Sequence, residues 1–379
     1  MAGLYLHIPF CEHKCIYCDF YSIESLDPMA SFLDVLTKEI AMYRGYGEHE
    51  TFGTIFFGGG TPSLLAPTDL CGIINALHTN FIITGDVEIT LEANPGTVDR
   101  RTLEEYRKLG INRISFGVQS FFDDDLRFLT RIHSSAQAKE AVRYAREAGF
   151  DNINIDLIYA LPDQSMSRWE ENLRKAVACT PEHLSAYSLI VEKNTPLHRM
   201  VEAKQVAPVP IEREAEMYQF TMEYLEGCGY EHYEVSNYAR PGFRSRHNCN
   251  YWNHTNYLGF GPSAHSFWSG RRWWNVRNLN AYMEKVVSGT LPVAGSEELT
   301  DAQRVDETIM LGLRHDGVDL FRLITERGID LLASCGEIID PLVQDRLAVI
   351  DGGRLRLTRE GFLLCDEITH RLLAETLLA

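Results

Sequence analysis

The sequence has few basic residues for its number of acidic ones. Its 379 residues include 36 Lys and Arg against 53 Asp and Glu, and the formal net charge is −17. This balance opposes non-specific attraction to nucleic acid and to anionic membrane surfaces. We therefore expect no nucleic-acid partner, although a local basic pocket could still hold a small anion.

Long apolar segments are missing as well. No stretch approaches the roughly 20 apolar residues that a helix needs to cross a bilayer, and the first residues do not combine a basic start with an apolar run. We therefore expect a cytoplasmic protein without a transmembrane segment. In that reducing compartment the nine cysteines are expected to be metal ligands or buried thiols rather than disulfides.

A fourth cysteine is missing from the loop near the start of the chain. Cys11, Cys15 and Cys18 follow a short β-rich run at the spacing C-x3-C-x2-C, and the next cysteine is far along the chain. Structural zinc sites and ordinary iron–sulfur clusters have four protein ligands. Either His7 or His13 completes a zinc site, or one metal position is open to a ligand that is not protein. This loop alone leaves zinc and a [4Fe–4S] cluster as alternatives.

Strands and helices alternate over the first half of the chain. Apolar β-type runs are separated by segments in which apolar residues recur every three or four positions. They predict six strands, each but the last followed by a helix, over residues 4–8, 54–57, 87–91, 112–117, 152–158 and 183–190. This alternation predicts a parallel sheet with helices outside, curled as a barrel or partial barrel, or open and doubly wound.

Polar residues follow or interrupt several of these strands. The second strand leads into Gly58–Thr61, the third into Glu92 and the fourth into Gln119, while Asp156 lies within the fifth. Each has a structural explanation when taken alone, such as a turn or a satisfied core carboxylate. Because the carboxyl ends of parallel strands share one rim, these residues and the cysteine loop together predict a ligand site there.

The segment from residue 206 to 298 carries further candidate ligands. His247, Cys249 and His265 are side chains that bind metal or heme iron in other proteins. An aromatic and basic cluster, Arg271–Trp274, follows them. The structural alternative is that these histidines and aromatic residues only cover the open end of the sheet.

A small separate domain is expected at the end of the chain. Helical runs and a hairpin that turns at Asp351–Gly353 resemble a winged helix. Acidic residues outnumber basic ones in this domain, and an acidic domain binds DNA poorly. We expect packing or protein contact from this domain instead.

Several segments resemble one family of enzymes. The cysteine loop, the Gly-Gly-Gly-Thr-Pro run and the sixfold β/α pattern resemble the radical S-adenosylmethionine (radical SAM) superfamily. Within it, Tyr5–Cys11, Phe57–Ser63, Phe116–Phe121 and Asp156–Pro162 are similar to the oxygen-independent coproporphyrinogen-III oxidase family. The resemblance implies an α/β fold, a partial (β/α)6 barrel with a small α+β, winged-helix-like carboxyl-terminal domain. The implied divisions are 1–205 for the barrel core, 206–298 for its extension and 299–379 for the small domain.

The resemblance also implies the occupants of the site. Three cysteines, Cys11, Cys15 and Cys18, would hold three irons of a [4Fe–4S] cluster, and S-adenosylmethionine would bind the fourth. The residues implied for S-adenosylmethionine binding are Tyr5, Tyr17, Gly59, Gly60, Thr61, Glu92, Gln119, Arg131 and Asp156. The fork of an arginine suits a carboxylate, and a carboxylate side chain suits hydroxyl or ammonium donors.

The sequence departs from the oxidases in two places. They carry a fourth cysteine two positions after the third, where this chain has Phe20, and they have an amino-terminal extension that we do not expect here. Decarboxylation of coproporphyrinogen is therefore in doubt. Instead, the segment His247–Trp252 matches the H-N-x-x-Y-W signature of the related heme chaperone family HemW.

This second resemblance implies a protein that binds heme as cargo and delivers it to heme-accepting proteins, including membrane-bound respiratory enzymes. His247 would be the iron ligand, with Cys249 or His265 as substitutes. The arginines that could pair with the heme propionates are Arg244, Arg246, Arg271 and Arg272. We also consider a homodimer and a peripheral position at the membrane during delivery.

Two other functions compete with the heme chaperone. One is a radical SAM enzyme of porphyrin metabolism, an anaerobic coproporphyrinogen oxidase. The other is a zinc-stabilised protein-interaction module with a winged-helix tail. Phe20 and the His247–Trp252 signature favour the chaperone over the enzyme, and the Gly58–Pro62 and Gln119 matches oppose the zinc module.

Overall fold

The computed structural model describes residues 1–48 and 50–376. In this part of the chain the strands are β1 Ala2–Ile8, β2 Thr51–Gly59, β3 Ile82–Ala93, β4 Arg113–Gln119, β5 Ile153–Tyr159, β6 His183–Ser188, β7 Glu231–Glu234, β8 Asn237–Ala239, β9 Tyr257–Phe260, β10 His265–Trp268, β11 Arg271–Asn275, β12 Val293–Glu298, β13 Val318–Asp319, β14 Ala348–Asp351 and β15 Arg354–Leu357. The helices are α1 Met29–Met42, α2 Pro67–Asn80, α3 Arg100–Lys108, α4 Asp123–Phe128, α5 Ser135–Glu147, α6 Met166–Ala178, α7 Pro196–Glu202, α8 Ile211–Gly227, α9 Arg246–Trp252, α10 Leu279–Val287, α11 Asp301–Leu313, α12 Leu320–Arg327, α13 Leu331–Gln344, α14 Arg359–Phe362 and α15 Cys365–Thr376. Three short 3-10 turns lie at Arg44–Gly47, Pro62–Leu64 and Pro95–Thr97.

One large sheet organises most of the molecule. Its strands run in the order β12-β11-β10-β9-β1-β2-β3-β4-β5-β6-β8-β7. The six strands from β1 to β6 are parallel neighbours, and β9 adds a further parallel strand beside β1. The remaining strands are antiparallel and extend both edges. The predicted fold class, an α/β fold with a parallel sheet and a small carboxyl-terminal part, is confirmed.

The outer helices begin where side chains cap their first turns. Asp99, Ser134, Ser165 and Thr195 each accept a hydrogen bond from a backbone N–H three residues later. Such caps satisfy donors that the first turn leaves free. The apolar faces of these helices then pack on the sheet and form one continuous hydrophobic core.

The opposite face of the parallel strands is polar. Alternate residues on β3, β4, β5 and β6 point away from the helices, because successive side chains of a strand point to opposite faces. The residues of these strands that border the interior cavity are mostly polar: Glu92, Ala93, Arg113, Ser115, Gly117, Gln119, Asn154, Asp156, Ile158, Ser185, Tyr187 and Ser188. The six strands therefore enclose a polar interior instead of a second apolar layer.

A second, smaller core lies near the end of the chain. The sheet β13-β15-β14 and helices around it enclose a separate cluster of buried apolar residues. This part contacts the large sheet through polar links: His315 Nδ1 lies 2.7 Å from the carbonyl oxygen of Tyr233, and Arg244 donates two hydrogen bonds of 3.0 and 2.7 Å to Asp316. Arg359 also pairs with Glu226.

Several predicted elements differ in extent from those observed. The third strand is longer than predicted, since it runs over Ile82–Ala93. The segment around His247 forms helix α9, which the sequence analysis did not predict, and two antiparallel strands follow in the aromatic region. Among the described residues, no helix is both long enough and apolar enough to cross a membrane.

Candidate cofactor and ligand site

The cysteine loop lies at the carboxyl end of β1. Its backbone is fixed by hydrogen bonds between Cys11 N and the Ile23 carbonyl and between Ile23 N and the Pro9 carbonyl. Cys11, Cys15 and Cys18 all line one small cavity of about 60 Å³. Cys11 and Cys15 are buried, and Cys18 is partly buried.

The three cysteines supply too few ligands for a closed zinc site. Among the described residues, no group of three His, Cys, Asp or Glu side chains is arranged to hold one metal ion. A structural zinc site has four protein ligands, whereas in an iron–sulfur cluster each cysteine binds a different iron. Three cysteines around one cavity match the donor set of a cluster with one iron open to a ligand that is not protein.

Two polar side chains approach the sulfur atoms. The Thr61 hydroxyl is 3.5 Å from Cys11 Sγ, and Arg131 Nη1 is 3.5 Å from Cys15 Sγ. These contacts place a hydroxyl donor and a guanidinium group beside two of the three predicted cluster ligands. Arg131 is held in place by a 2.6 Å hydrogen bond from Nη2 to the Gly117 carbonyl.

The glycine run after β2 forms a tight cradle beside this loop. Gly60 N donates to the Ile8 carbonyl at 2.8 Å, and Thr61 N donates to the Phe10 carbonyl at 2.7 Å. A Cβ atom on Gly60 would lie 2.5 Å from the Phe10 oxygen, and Gly59 has a positive φ of 107°. Only glycine fits here without strain, so the backbone can approach a ligand closely.

Two buried carboxylates face the cavity beyond the glycines. Burial, with the neighbouring charge of Asp156 as the second cause, raises the pKa of Glu92 to about 8. Burial also raises the pKa of Asp156, although hydrogen bonds from Ser185, Asn154 and Ser115 oppose the shift. A pair of carboxyl groups that burial disfavours as anions is suited to a cationic ligand or to hydroxyl donors.

Some polar atoms around the cavity have no protein partner. Gln119 Oε1 and Arg131 Nε are buried and make no hydrogen bond, and Gln119 adopts a positive φ of 67°. Buried polar atoms normally have partners. These two atoms point to a polar ligand, such as an amino acid carboxylate or ammonium group, between β4 and the cysteine loop.

Tyr5 and Tyr17 both border this cavity. The Tyr5 hydroxyl lies 3.2 Å from His7 Nδ1, and burial together with the charge of Glu92 raises the pKa of Tyr5. Burial likewise raises the pKa of Tyr17, which lies in the cysteine loop. Both phenols therefore stay neutral and can contact a ligand through ring faces or a hydroxyl.

All nine residues predicted for S-adenosylmethionine binding line one cavity of about 610 Å³. This volume is within the range of roughly 300 to 1,000 Å³ typical of small-molecule sites. The cavity opens at the carboxyl ends of the strands, next to the cysteine loop. Its inner end reaches helix α9, where His247, Asn248 and Tyr251 line it.

His247 is held tightly at this inner end. Its Nδ1 is 2.8 Å from the Thr54 hydroxyl, its Nε2 is 2.8 Å from the Tyr251 hydroxyl, and its ring stacks on Phe56 at 5.0 Å. Burial lowers the pKa of His247 to about 3. In this conformation neither ring nitrogen is free for heme iron, so a ligand role for His247 remains a prediction that requires the ring to leave these partners.

The two substitute ligands differ in accessibility. Burial raises the pKa of the Cys249 thiol to about 12, which disfavours the thiolate that would bind iron. His265 is exposed on β10, where its ring lies 6.0 Å from that of Trp274. His265 is thus the most accessible of the three predicted heme ligands.

Most of the arginines considered for propionates already have carboxylate partners. Arg244 pairs with Asp316 and Glu231, Arg246 with Asp86, and Arg272 with Glu297 and Glu307. Arg271 forms no ion pair within the described residues and contacts the Ser296 hydroxyl at 3.4 Å. Three of these four cations would have to exchange partners before they could bind heme.

The sequence analysis missed Arg113. Its side chain is 2% exposed, lines the cavity, forms no hydrogen bond or ion pair within the described residues and has an unpartnered Nε. Its positive charge lowers the pKa values of both Glu92 and Asp156 and so opposes the effect of burial. The signal was present as alternate residues that are not hydrophobic, the polar Arg113, Ser115 and Gln119 with Gly117 between them, a period-two pattern in a strand otherwise read as apolar.

Known proteins with similar sequences identify the family to which this site belongs. Residues 5–176 match the model of the radical SAM superfamily, and residues 299–364 match that of the HemN C-terminal domain. The chain is 35% identical to the heme chaperone HemW of Bacillus subtilis over 99% of this chain and 100% of that protein. It is also 35% identical to HemW of Mycobacterium tuberculosis strain H37Rv, over 98% of this chain and 94% of the relative.

The chain belongs to the HemW family. The solved structure of coproporphyrinogen III oxidase (HemN) from Escherichia coli, described as a radical SAM enzyme, matches with a TM-score of 0.85 and 25% identity over 98% of this chain and 89% of that one. Membership of the radical SAM superfamily implies a [4Fe–4S] cluster and S-adenosylmethionine. The three cysteines around one cavity, the glycine cradle and the unpartnered polar atoms of this HemW family member fit both groups.

Proposed function

We propose that this protein binds heme and transfers it to acceptor hemoproteins. The observation that carries the proposal is the full-length identity of 35% to a heme chaperone HemW. Phe20 supports it, because an exposed phenylalanine stands where the resemblance to the oxidases would require a fourth cysteine.

The cluster and its ligand form the second part of the proposal. Cys11, Cys15 and Cys18 would hold a [4Fe–4S] cluster, and the open iron would take the amino and carboxylate groups of S-adenosylmethionine. A bound cluster would supply redox chemistry, as a source of an electron for the sulfonium. The residues around it bind and orient: Arg131 donates toward Cys15 and a carboxylate, and Glu92 holds a cationic or hydroxyl group.

The third part of the proposal concerns the proteins to which heme is delivered. The acceptors would be heme-dependent proteins, including membrane-bound respiratory enzymes, with this protein placed peripherally at the membrane during transfer. A homodimer would be consistent with such a carrier. Gel filtration of the cluster-free and cluster-loaded protein would measure whether the oligomeric state follows the cluster.

The competing function is an anaerobic coproporphyrinogen oxidase, favoured by the similarity to HemN across the whole fold. An anaerobic assay with reconstituted cluster, S-adenosylmethionine, a reductant and coproporphyrinogen separates the two. The chaperone proposal predicts heme binding in a spectroscopic titration and no protoporphyrinogen. Clear turnover without heme binding would replace the chaperone by the enzyme.

A further inference from the structure

The mouth of the large cavity carries an unusual group of exposed apolar side chains. Phe20, Tyr187 and Ile190 all line the cavity, and they are 64%, 40% and 65% exposed. We call these three residues the apolar rim. Large exposed apolar side chains at the opening of a cavity mark a binding surface, because water contacts them unfavourably until a ligand covers them.

Two cations flank the rim at Phe20. Lys14 Nζ donates to the Phe20 carbonyl at 2.8 Å, and Arg277 Nη2 donates to the adjacent Asp19 carbonyl at 3.1 Å. Neither cation forms an ion pair with a carboxylate in the part of the chain that the structure describes, which contrasts with Arg244 and Arg272. The two cations therefore hold backbone oxygens and keep their charge available beside an apolar surface.

The rim differs from the inner end of the cavity in charge and access. Inside lie Glu92 and Asp156, which suit a cation, and His247 is 1% exposed with both nitrogens engaged. At the mouth, Asp19 and Glu192 also line the cavity, so the cations do not make the whole opening basic. The mouth therefore combines exposed apolar side chains with two positive groups that are held beside Phe20.

We infer that the apolar rim is the heme-binding surface, with a porphyrin face on Phe20 and the two propionates directed to Lys14 and Arg277. A metalloporphyrin is planar and apolar and carries two carboxylates at one edge, which matches one aromatic face and two cations. This inference rests on the proposed function and assigns its cargo to a place that the H-N-x-x-Y-W segment does not reach.

The position of the rim also links heme to the cysteine loop. Phe20 follows Cys18 by two residues, and Lys14 lies between Cys11 and Cys15. A cluster bound by Cys15 and Cys18 would further restrain the aromatic ring and one cation together, because both are neighbours of these ligands in the loop. Heme affinity is therefore expected to be higher for the cluster-loaded protein than for the cluster-free protein.

The test is an anaerobic heme titration of the cluster-loaded full chain, followed by absorption. Phe20→Ser and the double variant Lys14→Glu/Arg277→Glu are each expected to weaken heme binding by about tenfold or more, since loss of an anchoring aromatic or a charge partner has that effect. Phe20→Trp keeps the aromatic face and is expected to retain the affinity.

Matched controls change the same chemistry elsewhere. Phe321→Ser removes an aromatic ring that is 72% exposed in the carboxyl-terminal part, and Lys38→Glu/Arg101→Glu reverses two exposed charges on α1 and α3. Both are expected to bind heme like the unaltered protein. Circular dichroism and thermal unfolding of every variant verify that the fold is retained.

A ligand change tests the cations independently of any substitution. Heme dimethyl ester lacks the two charges and is expected to bind the unaltered protein about as weakly as heme binds the charge-reversal variant. If heme does not bind the unaltered protein at all, the proposed function fails. If heme binds and neither the rim variants nor the ester change its affinity, the rim is not the heme site and the inference is overturned.

Discussion

The affinity for S-adenosylmethionine should depend on pH through Glu92. Glu92 lines the cavity that the strands enclose, and burial together with the nearby Asp156 raises the pKa of its carboxyl group to about 8. The ligand carries a sulfonium and an ammonium group, so it should bind best when Glu92 is ionised. Binding should then release a proton, because a cation beside the carboxylate lowers its pKa in the complex.

The size of the effect follows from proton linkage. With a pKa of about 8, only about 1% of Glu92 is ionised at pH 6, against about half at pH 8. If the complex contains ionised Glu92 at both values, the affinity rises about fifty-fold between pH 6 and pH 8. The raised pKa of Glu92 sets the direction of the pH dependence. S-adenosylmethionine should bind weakly at pH values below this pKa, and its affinity should level off at pH values above it.

Isothermal titration calorimetry of the cluster-loaded protein measures both quantities. Titrations at each pH in two buffers of different ionisation enthalpy give the affinity and the number of protons released. Glu92→Gln cannot ionise and should bind weakly at both pH values with little proton release, whereas the exposed control Glu24→Gln should keep the full pH dependence. Equal affinities of the unaltered protein at pH 6 and 8, without proton release, would refute this account.

Three further predictions concern residues around the site. Gly60→Ala should abolish S-adenosylmethionine binding in calorimetry, because its Cβ would lie 2.5 Å from a backbone oxygen, whereas Gly72→Ala, with open space around it on α2, should bind normally. His247→Ala should lower the free energy of unfolding by about 1–3 kcal/mol in urea titrations, since it removes both ring hydrogen bonds and leaves the partly buried Tyr251 hydroxyl without this partner, whereas Asn250 still donates to the Thr54 hydroxyl. Heme affinity should stay unchanged; a large loss of heme affinity in a folded variant would instead support His247 as the iron ligand. Arg244→Ala should lower the free energy of unfolding by about 1 kcal/mol or less, because Arg244 and its partner Asp316 are both more than a third exposed. Limited proteolysis near residue 316 should also be faster. Unchanged unfolding and proteolysis would show that this ion pair does not hold the carboxyl-terminal part to the rest of the molecule.

Strong local patterns made much of the fold predictable. The six parallel strands have apolar faces packed under amphipathic helices, and these two periods are visible in the sequence. The cysteine spacing and the glycine run could also be recognised, because both are local patterns in the sequence. The glycines at 59 and 60 are required by backbone geometry, which leaves little freedom in the choice of residue.

Other features depend on contacts between distant segments. Helix α9 has seven residues, and its first backbone N–H groups are satisfied by Glu88 on β3, at 3.2 and 3.1 Å. No local pattern predicts that a carboxylate more than a hundred residues earlier will cap a helix. The contact between His247 Nδ1 and Thr54 depends on β2 and α9 meeting, whereas the Nε2 partner Tyr251 lies one turn later on α9. The burial of this predicted ligand and the engagement of both its nitrogens were therefore not visible in the local sequence.

The central claim is that the protein carries heme and passes it on. The most direct measurement mixes the heme-loaded, cluster-containing protein with a heme-free acceptor hemoprotein and follows the acceptor's own absorption spectrum and activity. We predict that the acceptor gains heme faster than it does from a non-specific carrier such as serum albumin. Failure to load heme, or retention of all heme in the presence of a competent acceptor, would contradict the claim.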